Sequence, residues 1–184
     1  MAPAKDTFCS YCGTAYAPPL GYPRTCKSCQ TTVWSNPIPV SVVLTPVKTK
    51  DGVGLLVVRR AIQPQLGKLA LVGGFLEDHE TWQQGGAREI REESDVVIDP
   101  STLTAFWFTS TQPKPNRVLL FSVAAAIDES ALPPFSPTNE TSERGLIFGP
   151  DGLEEHFAFS LHIEAVRRYF KEQGVTGPHR WTLR

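Results

Sequence analysis

Apolar and β-branched residues occur in short runs after residue 37, and polar or glycine-containing turns separate these runs. Runs of this length and composition favour β-strands. Near the C-terminus the apolar positions take helical spacing between Leu161 and Phe170, which predicts a helix over about 160–172. A proline-rich segment at 132–137 predicts a loop. The predicted strands cover residues 38–47, 55–59, 69–72, 103–109 and 117–126.

A second helix is predicted behind the glycine pair Gly73-Gly74, within the segment that ends at Val97. Strands on both sides of this helix predict a mixed sheet flanked by helices, which is an α+β domain. The chain has 184 residues, enough for one substantial core and a small appendage. We expect an N-terminal module at 1–35 and the α+β domain at 36–184.

The N-terminal module contains two Cys-x-x-Cys pairs, formed by Cys9 with Cys12 and Cys26 with Cys29. Four thiolates in this spacing are typical of a tetrahedral structural Zn²⁺ site. Disulfides would require an oxidising compartment, and a thioredoxin-like motif would require a single pair between a strand and a helix. Because the four thiolates leave no open coordination position, we expect this zinc to stabilise the module and not to be catalytic.

Composition limits the possible partners. The net charge is −1, and 20% of the residues are charged without a basic run, so nonspecific binding to nucleic acid or to an anionic membrane is not expected. No apolar run is long enough for a membrane span, and the N-terminus lacks the apolar core of a secretion signal. These features predict a cytoplasmic protein.

Three carboxylates crowd one side of the predicted helix after Gly74. Glu89, Glu92 and Glu93 stand at relative positions 0, 3 and 4, which places them within about one helical turn of each other. Like charges at these spacings repel, and a hard divalent cation such as Mg²⁺ or Mn²⁺ would relieve the repulsion. The alternative is a solvent-exposed amphipathic helix whose Glu and Arg residues balance one another.

The spacing of the residues around these carboxylates resembles the Nudix box. The matching residues are Gly74, Glu80, Arg88, Glu89, Ile90, Glu92, Glu93 and Val96. Asp95 departs from the pattern, since the family has glycine at that position. We expect Asp95 to end the helix in the left-handed region, which aspartate tolerates better than most residues.

The resemblance implies a Nudix-type α/β/α sandwich with a mixed sheet, behind a zinc ribbon, and hydrolysis of a phosphoanhydride with Mg²⁺ or Mn²⁺. It implies that Glu89 and Glu93 are the main metal ligands, followed by Glu92 and the carbonyl of Gly73. A later acidic ligand is expected at Glu143, with Glu140 as the second choice. The catalytic set also includes Arg88 and Glu80, which the resemblance implies form an orienting ion pair. Which glutamate is the general base stays open.

A four-cysteine ribbon before a Nudix domain is similar to the NADH and FAD pyrophosphatase branch of that superfamily. The chain keeps Gln112-Pro113-Lys114-Pro115 but lacks the Trp and Phe of the NADH-cleaving members, while Arg60 to Pro64 is similar to FAD-hydrolysing plant members. The expected substrates are nucleotides: FAD, NADH or ADP-ribose. Gln112, Lys114 and Arg117 are the candidate substrate-binding residues, although Lys114 and Arg117 are equally compatible with a solvent-facing loop.

Two alternative functions stay open at this point. A non-catalytic nucleotide sensor would share the fold, but it would normally have lost glutamates that this chain keeps. An enzyme acting on NAD-capped RNA 5′ ends would need the ribbon to contact nucleic acid, and the ribbon between Cys9 and Cys29 has only Arg24 and Lys27 as basic residues. A homodimer is common among relatives.

Two further features have competing interpretations. Gly85 and Gly86 in the helix allow a strand or loop to approach closely, which would either bring ligands to a metal or serve ordinary packing. Trp107 and Phe108 in a predicted strand would either stack on a base or belong to the core. The sequence assigns no role to His79 or His162.

Overall fold

A computed structural model describes residues 6–113 and 116–184. The chain divides into two compact units, residues 1–37 and 38–184. No helix in the described part of the chain is both long enough and apolar enough to cross a membrane.

The first unit is built on two similar cysteine turns. The N–H of Gly13 donates to the carbonyl of Cys9, and the N–H of Gln30 donates to the carbonyl of Cys26. Both donors have positive φ, 73° for Gly13 and 61° for Gln30. A short antiparallel pair, β1 (Arg24–Thr25) and β2 (Thr32–Val33), encloses the second turn.

The second unit contains ten strands and two α-helices among the described residues. The helices are α1 (Trp82–Ser94) and α2 (Ser160–Glu172), and single 3₁₀ turns lie at Pro100–Thr102 and Glu129–Ala131. The strands are β3 (Ile38–Leu44), β4 (Pro46–Thr49), β5 (Gly52–Arg60), β6 (Leu69–Ala70), β7 (Val72–Phe75), β8 (Thr104–Ser110), β9 (Arg117–Val123), β10 (Ile127–Asp128), β11 (Thr141–Phe148) and β12 (Arg180–Leu183).

The strands form two sheets that both belong to the core of this unit. One sheet has the order β7-β3-β9-β8, and the other has the order β10-β4-β5-β11-β12 with β6 also paired to β5. β3 and β9 are parallel, as are β10 and β4, and the other neighbours in these sheets are antiparallel. The predicted mixed sheet and the α+β class are therefore confirmed.

The two helices cover opposite faces of the strands. On β3, Val42 and Leu44 pack in the cluster that contains Val166 of α2, whereas Val43 packs in the cluster that contains Ile90 of α1. β5 follows the same alternation, since its successive buried residues fall alternately in the two clusters. Because alternate side chains of a strand point to opposite faces, the strands lie between helical layers as an α/β/α sandwich.

Several boundaries differ from the sequence prediction. The predicted strand 38–47 is two strands that change sheet at Thr45, and the predicted strand 69–72 is also two strands. The central strand β11 was not predicted, because its first half is polar and its Arg144 is buried by tertiary contacts to the carbonyls of Ser94 and Pro133. The C-terminal helix has the predicted bounds.

Candidate active site

The ends of α1 are fixed by local hydrogen bonds. Thr81 accepts a hydrogen bond from the N–H of Gln84, and the Gln84 side chain accepts one from the N–H of Thr81, which is a capping box. At the other end, Asp95 has φ 60° in the left-handed region, as predicted. Its carboxylate also accepts from the N–H of Ser136. The caps set where the helix begins and ends, and hence which residues face β7.

The two glycines of β7, Gly73 and Gly74, make room for two different neighbours. A Cβ atom on Gly74 would lie 2.3 Å from Oε1 of Glu89, and a Cβ atom on Gly73 would lie 2.3 Å from the carbonyl oxygen of Ser41 on β3. The first contact is with the end of a side chain and the second is with backbone. Gly74 therefore makes room for the Glu89 carboxylate, whereas Gly73 makes room for the neighbouring strand.

Arg88 ties the carboxylates of this region together. Its Nε and Nη2 donate to the two oxygens of Glu80, and Nη1 donates to Glu89 at 2.7 Å and to Glu92 at 3.2 Å. Nη2 also donates to the carbonyl of Phe75. The pKa of Glu80 is lowered, mainly by its hydrogen bonds to Arg88, and the pKa of Arg88 is raised by the same interaction. Arg88 and Glu80 form the ion pair that the resemblance implies.

Glu89 and Glu93 have little access to water, since the Glu89 side chain is 13% exposed and Glu93 is 9% exposed. Desolvation raises the pKa of Glu89. Desolvation also raises the pKa of Glu93 to about 8, with further contributions from the charges of Glu89 and Glu140, against a backbone hydrogen bond from Gly73. Such mutual repulsion between buried carboxylates is what a bound cation would remove.

These carboxylates line a large pocket of about 1030 Å³ in the second unit. Gly73, Gly74, Glu89, Glu92 and Glu93 form one part of its wall. Other lining residues are contributed by β3, β9, the segment 60–64 and the start of α2. The helix, the glycine turn and the strand ends therefore meet at one cavity, large enough for a nucleotide.

Glu143 does not lie with these carboxylates. Its Oε2 accepts from Nε of Arg59 at 2.5 Å, and it is not among the residues that line the pocket. Glu140 lines the pocket instead, and its charge contributes to the raised pKa of both Glu89 and Glu93. Between Thr141 and Glu143 the pairing of β11 with β5 shifts register. The spacing of residues along the sequence does not reveal such a shift.

The three predicted substrate-binding residues are placed differently. Arg117 lines the pocket, and its guanidinium lies 5.5 Å from the centre of the Phe75 ring. Gln112 is exposed and outside the pocket lining. Lys114 lies outside the described residues.

Of the two adjacent aromatic residues on β8, Trp107 packs against the core and Phe108 faces solvent. Trp107 stacks on Phe121 with ring centres 5.1 Å apart, and Arg168 lies over its ring. Phe108 is 73% exposed. Neither residue lines the pocket.

Gly85 and Gly86 serve close packing of α1. A Cβ atom on Gly86 would lie 2.9 Å from the Val43 side chain and 3.0 Å from Oγ of Ser41, both on β3. A Cβ atom on Gly85 would lie 2.4 Å from the Leu76 side chain. It would also lie 2.7 Å from Oε1 of Glu80, so Gly86 serves packing against β3 whereas Gly85 makes room for both Leu76 and the Glu80 carboxylate.

The four cysteines of the first unit converge. Their sulfur atoms all lie within 4.8 Å of one another, with Cys9 to Cys29 at 3.8 Å and Cys12 to Cys26 at 3.6 Å. In a tetrahedron with Zn–S bonds of about 2.3 Å the sulfur atoms are about 3.8 Å apart. Hydrogen bonds from the backbone of Tyr11 are the main cause that lowers the pKa of Cys9 to about 6. The quartet fits zinc.

The quartet is the only group of three or more metal-binding side chains with this convergence among residues 6–113 and 116–184. The glutamates of α1 do not form such a group in the described part of the chain, and two of them, Glu89 and Glu92, are ion-paired with Arg88. A cation at the glutamates would therefore compete with Arg88 for carboxylate oxygens.

One part of the pocket was not predicted from the sequence. Arg60 lies over the Phe159 ring at 5.1 Å, and the Phe159 ring centre is 5.0 Å from that of His162. All three residues line the pocket, as do Ser160 and Leu161. Arg60 is about a hundred residues from the other two in the chain, so spacing along the sequence does not connect them. The only sequence indication of this part of the pocket was the similarity of Arg60 to Pro64 to FAD-hydrolysing proteins.

The NUDIX domain model matches residues 36–169, which include all the residues of this pocket. The chain belongs to the NUDIX family. The Nudix-type fold expected from the sequence is thereby confirmed, and family membership together with hydrolase neighbours supports the pyrophosphohydrolase class.

Solved structures of Nudix proteins resemble the chain along most of its length. A NUDIX hydrolase from Nitrosomonas europaea is 25% identical with a TM-score of 0.65, and the match covers 91% of this chain and 92% of that one. The NUDIX domain of Shewanella oneidensis NrtR, complexed with ADP ribose, is 16% identical with a TM-score of 0.62, and the match covers 76% and 90%. A MutT/nudix family protein from Enterococcus faecalis is 22% identical with a TM-score of 0.56, and the match covers 62% of this chain but only 45% of that protein.

Proposed function

We propose that this Nudix protein hydrolyses the pyrophosphate bond of a nucleoside diphosphate joined to a second group. FAD, NADH and ADP-ribose are the substrates that we put forward, and the NrtR domain with bound ADP ribose supports a nucleoside diphosphate ligand for this fold. The observation that carries the proposal is the convergence of Glu89, Glu92, Glu93 and Glu140 on one pocket.

The carboxylates suit a hard divalent cation. Oxygen ligands from Glu89, Glu93 and Glu140, with Glu92 and the carbonyl of Gly73, are those that Mg²⁺ and Mn²⁺ prefer. The raised pKa values of Glu89 and Glu93 support this assignment, since burial is their main cause and nearby negative charges add to it. When bound, such a cation neutralises diphosphate charge and lowers the pKa of a coordinated water.

The arginines of the pocket have separate roles in this proposal. Arg88 positions Glu89 and Glu92 through its three-way contacts, while Glu80 holds Arg88 by two hydrogen bonds. Arg60 and Arg117 line the same pocket, and Arg117 supplies positive charge for the phosphate oxygens.

The first unit completes the proposal. We assign residues 1–35 to a zinc ribbon in which Cys9, Cys12, Cys26 and Cys29 hold a structural Zn²⁺, and residues 36–184 to the Nudix domain. Thirty-five residues are too few for a stable apolar core, and a metal supplies the stabilisation that such a core would provide.

The test is a substrate panel with product identification by mass. Purified protein with Mg²⁺ or Mn²⁺ is incubated with FAD, NADH and ADP-ribose, and release of AMP is the expected result. Glu93→Gln should abolish release while the protein stays folded, because it removes a charged oxygen ligand with little change of volume.

A matched pair of variants tests the fourth carboxylate. Glu140→Gln should weaken metal-dependent activity about tenfold or more, whereas Glu143→Gln should leave activity close to that of the wild type, because only Glu140 lines the pocket. Tight binding of a panel member without any turnover would contradict the hydrolase and identify a nucleotide sensor.

A further inference from the structure

His162 has a fixed protonation pattern that the proposed hydrolysis does not use. Its side chain lies in the first turn of α2 and the residue is 6% exposed. Nδ1 accepts a hydrogen bond from the backbone N–H of Leu71 at 3.2 Å. A backbone N–H can only donate, so Nδ1 carries no proton. Burial lowers the pKa of His162 to about 3, and Arg60 contributes to the shift, so the ring is neutral with its proton on Nε2.

Apart from the Nδ1 hydrogen bond, the ring contacts of His162 are aromatic, with Phe159 at 5.0 Å and with Phe121, edge to face, at 5.8 Å between ring centres. Nε2 has no hydrogen-bond partner among the described residues. The unpartnered polar side-chain atoms that are fully buried in that part of the chain do not include Nε2, so this atom keeps some accessible surface. Since Nδ1 is turned to Leu71 and the residue lines the pocket, Nε2–H is the donor that the ring presents to the cavity.

Five pocket-lining residues at and beside the start of α2 form what we call the α2 corner: Arg60, Phe159, Ser160, Leu161 and His162. Its further hydrogen-bond donors are the Arg60 side chain and backbone N–H groups. Phe159 occupies the N-cap and offers no side-chain hydrogen bond to the helix. The first backbone N–H groups of a helix have no partner within it, so those of Ser160 and Leu161 are available to a ligand. The N–H of His162 is already bonded to the carbonyl of Phe159.

The α2 corner suits a neutral acceptor better than a second phosphate. The imidazole carries no charge, and Nε of the one arginine already donates to the carbonyl of Pro64. The neighbouring pocket wall is apolar, with Ile62, Leu71 and Leu119. A phosphate bound there would meet one cation, the Arg60 guanidinium, while an uncharged imidazole and apolar side chains cover the rest of the corner. A planar base fits an apolar wall, and a carbonyl oxygen on its edge accepts from the donors.

We propose that the α2 corner binds a carbonyl-bearing heterocyclic base, and that the Nε2–H of His162 donates a hydrogen bond to its carbonyl oxygen. The inference rests on the proposed function for the position of the diphosphate, and among the substrates put forward it favours FAD, whose flavin carries ring carbonyls, over ADP-ribose, whose only base is adenine. At base position 6 an amino group is a donor and cannot accept from the Nε2–H of His162, whereas a carbonyl oxygen at that position can.

Binding of IMP and AMP without metal tests this inference. The two nucleotides differ at base position 6, where IMP has a carbonyl and AMP an amino group. Calorimetric titration should show that the wild type binds IMP about tenfold more tightly than AMP, the effect of about one satisfied hydrogen bond. FMN, whose ring carries two carbonyls, should also bind.

Two amide variants separate a ligand contact from a structural one. An Asn amide can replace the Nδ1 acceptor but cannot reach the position of Nε2, whereas a Gln amide can reach Nε2 but not Nδ1. His162→Asn should therefore keep the fold and lose the preference for IMP. His162→Gln should keep the preference with lower stability; if it does not fold, His162→Asn still decides the test.

Three results would overturn the inference: equal affinity of the wild type for IMP and AMP, binding of neither nucleotide, or an unchanged IMP preference in His162→Asn. The measurement needs no turnover. The protein could fail to hydrolyse any dinucleotide and still show a preference for IMP that depends on His162. That result would refute the proposed hydrolase function and support the base-binding site.

Discussion

Arg88 and Glu80 form a two-pronged ion pair, with Nε 3.1 Å from Oε2 and Nη2 2.7 Å from Oε1. The remaining nitrogen of Arg88 contacts Glu89 and Glu92 at the same time. The Glu80 side chain is 7% exposed, so the pair is shielded from water. A fork of this shape fixes the guanidinium in one plane, and that plane sets the position of both other carboxylates.

Replacing Arg88 by lysine should impair the enzyme, although both residues are basic. Arg88→Lys keeps the charge but reaches only one carboxylate at a time, so kcat should fall by about 10- to 100-fold with a smaller change in KM. Steady-state kinetics with the substrate found in the panel checks this. Arg91→Lys, at an exposed position on the same helix, is the matched control. Wild-type kcat in the Arg88→Lys variant would show that Arg88 does not position the carboxylates.

The two glycines of β7 should fail in different ways when changed to alanine. Gly74→Ala pushes the new Cβ against the Glu89 carboxylate, which can rotate away, so activity should be lost while the melting temperature stays nearly unchanged. Gly73→Ala meets the Ser41 backbone, so the melting temperature should fall by several degrees. Thermal melts and activity assays on both variants check this, and an active Gly74→Ala enzyme would contradict it.

His162 should make stability depend on pH. Its folded pKa of about 3 lies below the unfolded value of about 6.5, so the unfolded chain takes up a proton that the folded protein excludes. The stabilising contribution is complete above pH 6.5 and is lost as pH falls toward 3. His162→Asn cannot titrate there.

The difference in unfolding free energy between wild type and His162→Asn should therefore change by about 1.4 kcal/mol per pH unit below pH 6. Denaturant titrations at pH 7.5, 6 and 5 measure it. A difference that is constant over this range would show that His162 titrates equally in both states.

The cysteine quartet should hold one zinc ion per chain. Mass spectrometry under native conditions should find one Zn²⁺, and Cys12→Ser should lose it, because three thiolates and a hydroxyl bind zinc more weakly. Ser28→Ala lies beside Cys29 and keeps all four thiolates, so it is the control. Full zinc occupancy in Cys12→Ser would contradict a four-thiolate site.

The sequence predicted the carboxylate cluster of α1 because its members are close together in the chain. Glu80, Arg88 and Glu89 lie within ten residues of each other, and helical spacing alone puts the carboxylates on one side. The left-handed Asp95 and the bounds of α2 were likewise predictable, since both follow from the conformational preferences of short segments.

Sequence reasoning named Glu143 first and Glu140 second as a later acidic residue of the site, and it had no means of deciding which of the two lines the pocket. Glu140 and Glu143 are three residues apart, and the choice between them depends on where β11 shifts its register against β5. That shift leaves Glu143 paired with Arg59 and Glu140 in the pocket. Long-range strand pairing decides the matter, and a spacing along the chain contains no information about it.

The sequence by itself determined the Nudix family, the metal-type carboxylates of α1 and the four thiolates of the first unit, because each is written in residues at short, fixed separations. Only the tertiary structure decided what else lines the pocket. Arg60, Phe159 and His162 meet there because β5 and α2 pack against a common core, and the tautomer of His162 depends on a contact with Leu71 that lies 91 residues away in the chain. A cluster of neighbours in sequence can be predicted before folding, whereas the rest of the pocket wall comes from residues that only packing brings together.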